Sequence, residues 1–460
     1  MKTNYSRIPA ILSAIVAAIV CYSIFLDAKS YLTPAEAQPL TSEQKEKQES
    51  VFDVLYPDRN EILSPLPYSL KTDPLSIYAG SAILIDTATG SVLYEKNADE
   101  KIPPASMTKL VEMYVVLDAV EKGEVSLDDE VPLPPQSWAV NLPSDASIMF
   151  LAQGKHVTLR ELLLGLAIAS GNDASIAVAY YVGGSMEAFV KRMNDVIFSL
   201  GLKNTHFVES SGYSEQNKTT ARDFAAFARE YINRFPETIT DYHSQRVLKY
   251  PLKNNLPDSQ KEQGDSQAVV QYNTNKLLGT LEGCDGLKTG FIYESGYNIT
   301  LTAQRNGTRL LSVTMKGPGK GSAQGNRYRS ADGTTLMEYG FSNFADYHPD
   351  KKHVFDINVI GSKEKTIQII PYKDESFTVP HIKGATAKDA AKSVKAKAYI
   401  PRYLYGNIKC GDIIGTITYS IDDTVLQTLP LVADRDCDKK TDISLLHDFI
   451  IYNLLELLTN

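Results

Sequence analysis

The feature that most constrains this chain is a pair of polar side chains set into an apolar helix. Pro103-Pro104 favour a helix start, Ser106-Met107-Thr108-Lys109 follows, and the run stops at Gly123. Leu110, Met113, Leu117 and Val120 form the apolar stripe. At about 100° per residue, Ser106 falls at the centre of that stripe and Lys109 at its margin. Any fold for this chain must therefore enclose the helix while turning a hydroxyl and an amine inward. Side chains three apart on a helix are neighbours, so Lys109 reaches the Ser106 hydroxyl. Desolvation disfavours the charged amine and lowers its pKa toward neutrality, which makes it a base for the serine. The spacing alone carries little, because Ser42 to Lys45 and Ser362 to Lys365 repeat it.

Two further triplets supply partners. Ser170-Gly171-Asn172 ends a helix that opens with Thr158-Leu159-Arg160-Glu161, a capping-box pattern. Gly171 is expected to let the chain turn sharply and project the two polar side chains. Lys288-Thr289-Gly290 falls in a strand-like segment ahead of Asn306-Gly307, a two-residue hairpin signal. A lysine and a threonine beside a glycine on a strand edge suit a carboxylate on an extended peptide.

The remainder reads as an exported, multi-domain chain. Lys2 and Arg7 precede an uncharged run from Ile8 to Leu26, an export signal. Two readings of it stay open: cleavage near Ala35-Glu36-Ala37, or retention as an anchor, since 19 uncharged residues also span a bilayer. Residues 1–37 are thus a signal peptide or signal anchor, and polar, proline-dotted residues 38–70 a tether. Ala82–Ile85 and Ser91–Tyr94 form a hairpin, helices dominate from Ser106 to about Asn233, and residues 254–267 are a polar loop. Residues 346–437 alternate as an all-β region, and residues 438–460 are an apolar C-terminal helix, for which a membrane surface and the protein's own domain are equal candidates. A net charge of -8 without a basic block excludes a nucleic-acid partner. Cys284, Cys410 and Cys437 with seven histidines show no zinc spacing, so no metal is expected. A Cys410–Cys437 bridge and three free thiols remain equal alternatives.

With these segments in order, the sequence resembles the penicillin-binding serine D-alanyl-D-alanine carboxypeptidases, which carry a serine-lysine tetrad, a serine-any-asparagine triplet and a lysine-threonine-glycine triplet. The likeness extends through Pro103-Pro104-Ala105, Asp173-Ala174, Met193-Asn194 and Asp285-Gly286-Leu287, covering roughly Ser76 to Phe341. The separations of 64 from Ser106 to Ser170 and 118 from Ser170 to Lys288 are similar too. The resemblance implies an α/β (α+β) domain of the serine β-lactamase/DD-peptidase-like transpeptidase kind over residues 71–345, an antiparallel sheet with a helical cluster, followed by the small all-β domain. Gly411 to Gly415 and Pro430 to Ala433 look like segments of the carboxypeptidase-5 accessory domain. Lys383, Lys388, Lys392, Lys395 and Lys397 there read as a solvated face.

By the same resemblance, Ser106 is the nucleophile, Lys109 its base and Ser170 a proton relay. Asn172 orients the acyl side, Lys288 supplies positive potential, Thr289 binds the terminal carboxylate, Arg329 looks like the family's carboxylate-binding arginine, and Gly290 and Phe291 are substrate-binding with them. The backbone amides of Ser106 and Phe291 form the oxyanion hole. Implied partners are peptidoglycan stem peptides, β-lactam antibiotics as covalent inhibitors, and a membrane surface on the extracytoplasmic or periplasmic side, with no cofactor. Ile292, Glu294 and the Gly212-Tyr213 pair depart from the family pattern and bear on substrate preference. A DD-endopeptidase, a β-lactamase and a catalytically silent wall-binding protein are the alternatives. No glutamate with a nearby asparagine between Asn172 and Lys288 supports the β-lactamase.

Overall fold

Strand periodicity determines how the layers stack around the serine helix. The computed structural model describes residues 7–70, 74–381, 389 and 392–459, so Lys2, Lys383 and Lys388 of the sequence reading lie outside it. Two helices come first in the chain, α1 (Arg7–Ser30) and α2 (Ser42–Leu55). Internal contacts divide the chain into two units, one of Ile62–Asp346 and Phe377–Ala391, the other of Met1–Glu61, Tyr347–Ser376 and Lys392–Asn460.

The larger unit is built on six strands: β1 (Ser64–Pro65), β2 (Ser81–Asp86), β3 (Ser91–Lys96), β6 (Cys284–Ile292), β7 (Gly296–Arg305) and β8 (Thr308–Gly317), with β4 (Val247–Tyr250) and β5 (Val269–Tyr272) as a separate ribbon. The order is β1-β3-β2-β8-β7-β6, antiparallel throughout except for the short parallel β1–β3 pair. Every residue of β2 is buried. Its period of two sends Ile83 and Ile85 into a cluster with α3 (Lys109–Glu121), α5 (Asn172–Gly183) and α7 (Ala221–Arg234). Ala82 and Leu84 instead meet Leu336 and Met337 of α8 (Ser322–Asn343) on the opposite face. Both hairpins expected from the sequence form, and Asn306 and Gly307 take φ 53° and 95°, as a tight two-residue turn requires.

Two expectations change. The serine helix was read with a single apolar stripe, yet Leu110 through Leu117 are all buried, because α3 runs between the sheet and the other helices. The left-handed turn of the second triplet sits on Ser170 itself, at φ 58°, while Gly171 has φ −59°. Gly171 is required by space: a Cβ there would lie 2.7 Å from Asp173 Oδ1 and 3.2 Å from Met149 N. That turn follows α4 (Leu159–Leu164), which continues through one wide turn over Gly165–Ala169.

In the smaller unit a six-stranded sheet runs in the order Lys395–Tyr399, Ile413–Ile421, Thr424–Ala433, Thr366–Pro371, Phe355–Ile360, Tyr403–Tyr405, the last pair parallel. The stretch expected as a tether contains α2 instead, started by a Thr41–Gln44 capping box. Gln48 and Phe52, one turn apart, are both buried, and Gln48 Nε2 donates to Asp434 O at 3.0 Å. Local capping and two inward side chains thus outweigh the polar composition. Cys410 and Cys437 are buried free thiols, and Lys392, Lys395 and Lys397 are exposed. The apolar tail forms α9 (Ser444–Thr459).

The Thr158 cap fixes the start of the helix that delivers Ser170: Glu161 N donates to Thr158 Oγ1 at 3.3 Å and Thr158 N to Glu161 Oε2 at 2.8 Å. Thr158→Ala is expected to cost about 1 kcal/mol, seen as a lower urea midpoint at unchanged slope. An unaltered midpoint would show that this cap does not hold the helix.

Candidate active site

Ser106 stands on a tight turn, Ala105–Thr108, that runs directly into α3. The turn is held in an uncommon backbone state, with Ala105 at φ 52°. Two glycines from distant parts of the chain close on it. A Cβ on Gly212 would lie 1.9 Å from Ala105 O, and one on Gly290 would lie 2.6 Å from Pro104 O and 3.1 Å from Ser106 N. Gly290 of the third triplet therefore serves as a contact surface that lets β6 lie against the serine backbone. The sheet adds two more ties: Asn298 Nδ2 donates to Pro103 O at 3.0 Å and Thr300 Oγ1 to Met107 Sδ at 3.2 Å.

The Lys109 amine is fully buried and meets three oxygens. Nζ lies 3.3 Å from Ser106 Oγ, and donates to Asn172 Oδ1 at 2.8 Å and to Ser211 O at 2.6 Å. Burial pulls its pKa down to about 8, partly offset by Glu112 on the same helix, Glu209 and Asp173. A neutral amine has two hydrogens and one lone pair. The two stronger acceptors take the hydrogens, which leaves the lone pair for Ser106.

The second and third triplets meet at Lys288. Its Nζ donates to Ser170 Oγ at 3.0 Å and to Thr289 O at 3.1 Å, and it is buried. Desolvation first, then the positive Lys109 and Arg329, push its pKa well below the usual lysine value. Thr289 Oγ1 pairs with Thr274 Oγ1 at 2.6 Å. Arg329, from α8, donates to Gly290 O and Asn298 O at 3.4 Å each, and burial lowers it to about 10. Ser106, Ser170, Thr289, Gly290, Phe291 and Arg329 line one open cleft of about 680 Å³. The structure thus brings all nine residues singled out from the sequence into one region: Ser106, Lys109, Ser170, Asn172, Lys288, Thr289, Gly290, Phe291 and Arg329.

Of the other contributors, Ser211 and Glu209 carried no sequence signal. Ser211 acts through its carbonyl, and Glu209 shapes that loop by accepting from Ser211 N at 2.7 Å, Gly212 N at 2.8 Å and Asn217 Nδ2 at 2.7 Å. Asp173 accepts from Met149 N and Leu151 N, tying the Ser170 turn to the chain on the far rim. At that rim Tyr213 OH donates to Asp145 Oδ1 at 2.9 Å, while Phe291 packs on Tyr297 with ring centroids 4.5 Å apart. Tyr213, one departure from the family pattern, is therefore tied to the cleft rim, and Phe291 and Tyr293, on either side of Ile292, line the cleft.

A serine and a buried lysine on one helix start, facing a second lysine on a sheet edge, define a serine hydrolase of the β-lactamase and DD-peptidase class. Comparison with known proteins narrows this. The D-alanyl-D-alanine carboxypeptidase family model matches residues 69–319, and the C-terminal domain of penicillin-binding protein 5 matches residues 346–439. D-alanyl-D-alanine carboxypeptidase DacF of Bacillus subtilis is 33% identical over 380 residues, 82% of this chain and 90% of that one. Penicillin-binding protein 5 from Haemophilus influenzae superposes with a TM-score of 0.66 at 28% identity, covering 80% of this chain and 100% of that one. Penicillin-binding protein D2 from Listeria monocytogenes, in its cefotaxime-bound form, gives 0.50 at 30% identity over 59% of this chain and 100% of that one. The chain belongs to the D-alanyl-D-alanine carboxypeptidase family and is a serine-type D-Ala-D-Ala carboxypeptidase.

Gly212→Ala tests the packing behind the serine. The added methyl displaces the Ala105 carbonyl, and a misplacement near 1 Å is expected to cut turnover of a D-Ala-D-Ala peptide by about 100-fold, with a lower melting temperature. Wild-type turnover would show that the serine turn does not depend on this contact.

Proposed function

We propose that Ser106 carries the acyl group in removing the terminal D-alanine from peptidoglycan stem pentapeptides. The observation that carries this is the Lys109 amine, dry, with two protein acceptors besides the serine hydroxyl. Ser106 Oγ bonds to the carbonyl carbon of the penultimate D-alanine while its proton passes to Lys109 Nζ. The backbone amides of Ser106 and Phe291 receive the developing oxyanion, and Asn172 orients the acyl side. The bond to the terminal alanine nitrogen breaks as that nitrogen takes the proton that Lys109 had accepted, relayed through the Ser170 hydroxyl that Lys288 holds, which returns Lys109 to its neutral form. Thr289 binds the departing carboxylate within the positive potential of Lys288 and Arg329. Water then attacks the ester and gives a proton to Lys109, which passes it to Ser106 Oγ as the acyl bond breaks, restoring the serine alcohol and the neutral amine.

β-Lactams, which imitate the same dipeptide, acylate the same serine; the cefotaxime-bound Listeria relative supports this. The protein works on the extracytoplasmic side, as its apolar N-terminal helix suits.

Labelled penicillin is expected to mark the wild type stoichiometrically and to leave Ser106→Ala unmarked, with circular dichroism verifying that the variant is folded. Label retained on Ser106→Ala would remove Ser106 as nucleophile. A stem pentapeptide should become lighter by the mass of one alanine residue, that is, alanine less water. Because the neutral amine is the active form and the Lys109 pKa is lowered to about 8, the acylation rate should rise with pH, fall about tenfold per unit below that midpoint and level off above it. A profile flat between about pH 6 and 9 would exclude Lys109 as the base.

A further inference from the structure

We propose that α1 stays in the mature protein as a membrane anchor, and that its last turns form with α9 a foot by which the smaller unit rests on the bilayer. The helix has two parts with opposite surroundings. Leu12 through Tyr22 are all exposed, with the large side chains of Leu12, Ile15, Val16, Ile19 and Val20 on one side of the helix and Ala14, Ala17, Ala18 and Cys21 on the other. A helix apolar on every side suits hydrocarbon rather than a protein surface. The uncharged run from Ile8 to Leu26 spans about 28 Å at the helical rise, close to a hydrocarbon core of about 30 Å. Lys2 and Arg7 lie before that run and set the preceding end in the cytoplasm, so the smaller unit emerges outside.

Beyond the run, the chain is part of a fold. Ala28 is fully buried, and Ile24, Tyr31 and Leu32 join it against Ile360, Ile451 and Leu455. Asn358, on the strand Phe355–Ile360, donates its amide to Tyr31 O at 3.0 Å and Thr33 O at 3.2 Å. Asp356 on the same strand accepts from Ala37 N at 3.2 Å. Cleavage after Ala37 would strip the cover from Ile360, Ile451 and Leu455 and leave the Asn358 amide without these carbonyls. Unpaired buried amides and uncovered aliphatic side chains both cost stability.

The C-terminal helix completes the surface. Asp448, Ile451 and Leu455 of α9 face inward, and Lys440 Nζ pairs with Asp448 Oδ2 at 2.8 Å. Leu446, Phe449, Ile450 and Leu457 are exposed on the other side. No lysine or arginine follows Lys440, so this face offers lipid apolar area and no charge attraction. It adjoins α1, with His447 of α9 lying 3.5 Å from Asp27 of α1. The two helices share one buried cluster, and the apolar span of α1 continues directly into the bilayer.

Full-length protein produced in a bacterial host is expected in the membrane fraction, to resist extraction with alkaline carbonate, and to give an intact mass whose N-terminus lies ahead of Leu12. Removing residues 444–460 should leave it resistant to extraction, because α1 remains. A mature N-terminus at Gln38, or release by carbonate, overturns the proposal. The docking is tested separately with Asn358→Ala, melted in detergent both in the intact chain and in a chain beginning at Gln38 behind a cleavable signal. The drop should be larger in the intact chain by roughly 3 °C; equal drops overturn it. Neither readout uses peptidase activity, so the enzymatic proposal can fail or stand independently.

Discussion

Taking the Lys109 amine out of water costs on the order of several kcal/mol of lost hydration, and only oxygens placed within reach of it return part of that. Ser106, Asn172 and Ser211 supply them from a helix start, a helix-to-helix turn and a loop. The amine therefore acts as a hub for three segments far apart in the chain. Its own chemistry follows from the same burial. A solvated lysine stays protonated near neutrality, and a dry one held by neutral acceptors can give up its proton.

The polar residues of the site were readable in the chain because each belongs to a local pattern. Ser106 and Lys109 are one helical turn apart, and Lys288, Thr289 and Gly290 share a strand beside a turn signal. The hairpins at Asp86–Ser91 and Asn306-Gly307 were equally local, and they set the sheet that carries β6 as its edge. Features that depend on distant partners were not readable. Ser211 contributes a backbone carbonyl, which every residue has, and Glu209 works by folding its own loop. Thr274 matters because β6 happens to bring Thr289 alongside.

Two misreadings have the same origin. Glycine after Ser170 looked like the residue that turns the chain, since glycine adopts left-handed backbone most easily. In the folded unit the serine takes that conformation and glycine provides room for Asp173 and Met149. In the stretch after the N-terminal helix, polar composition hid a helix held by a cap and by Gln48 and Phe52. Composition reports average solvation, and a single buried turn needs only two inward side chains.

The close contact of Gly212 and Gly290 with the serine turn has a consequence for the timing of reactivity. These glycines lie 106 and 184 positions beyond Ser106, so the turn acquires its shape only after most of the unit has condensed. Before then the lysine is hydrated and cationic and the serine is an ordinary alcohol. A chain that has not yet folded is thus chemically harmless, and hydrolytic power arrives together with tertiary structure.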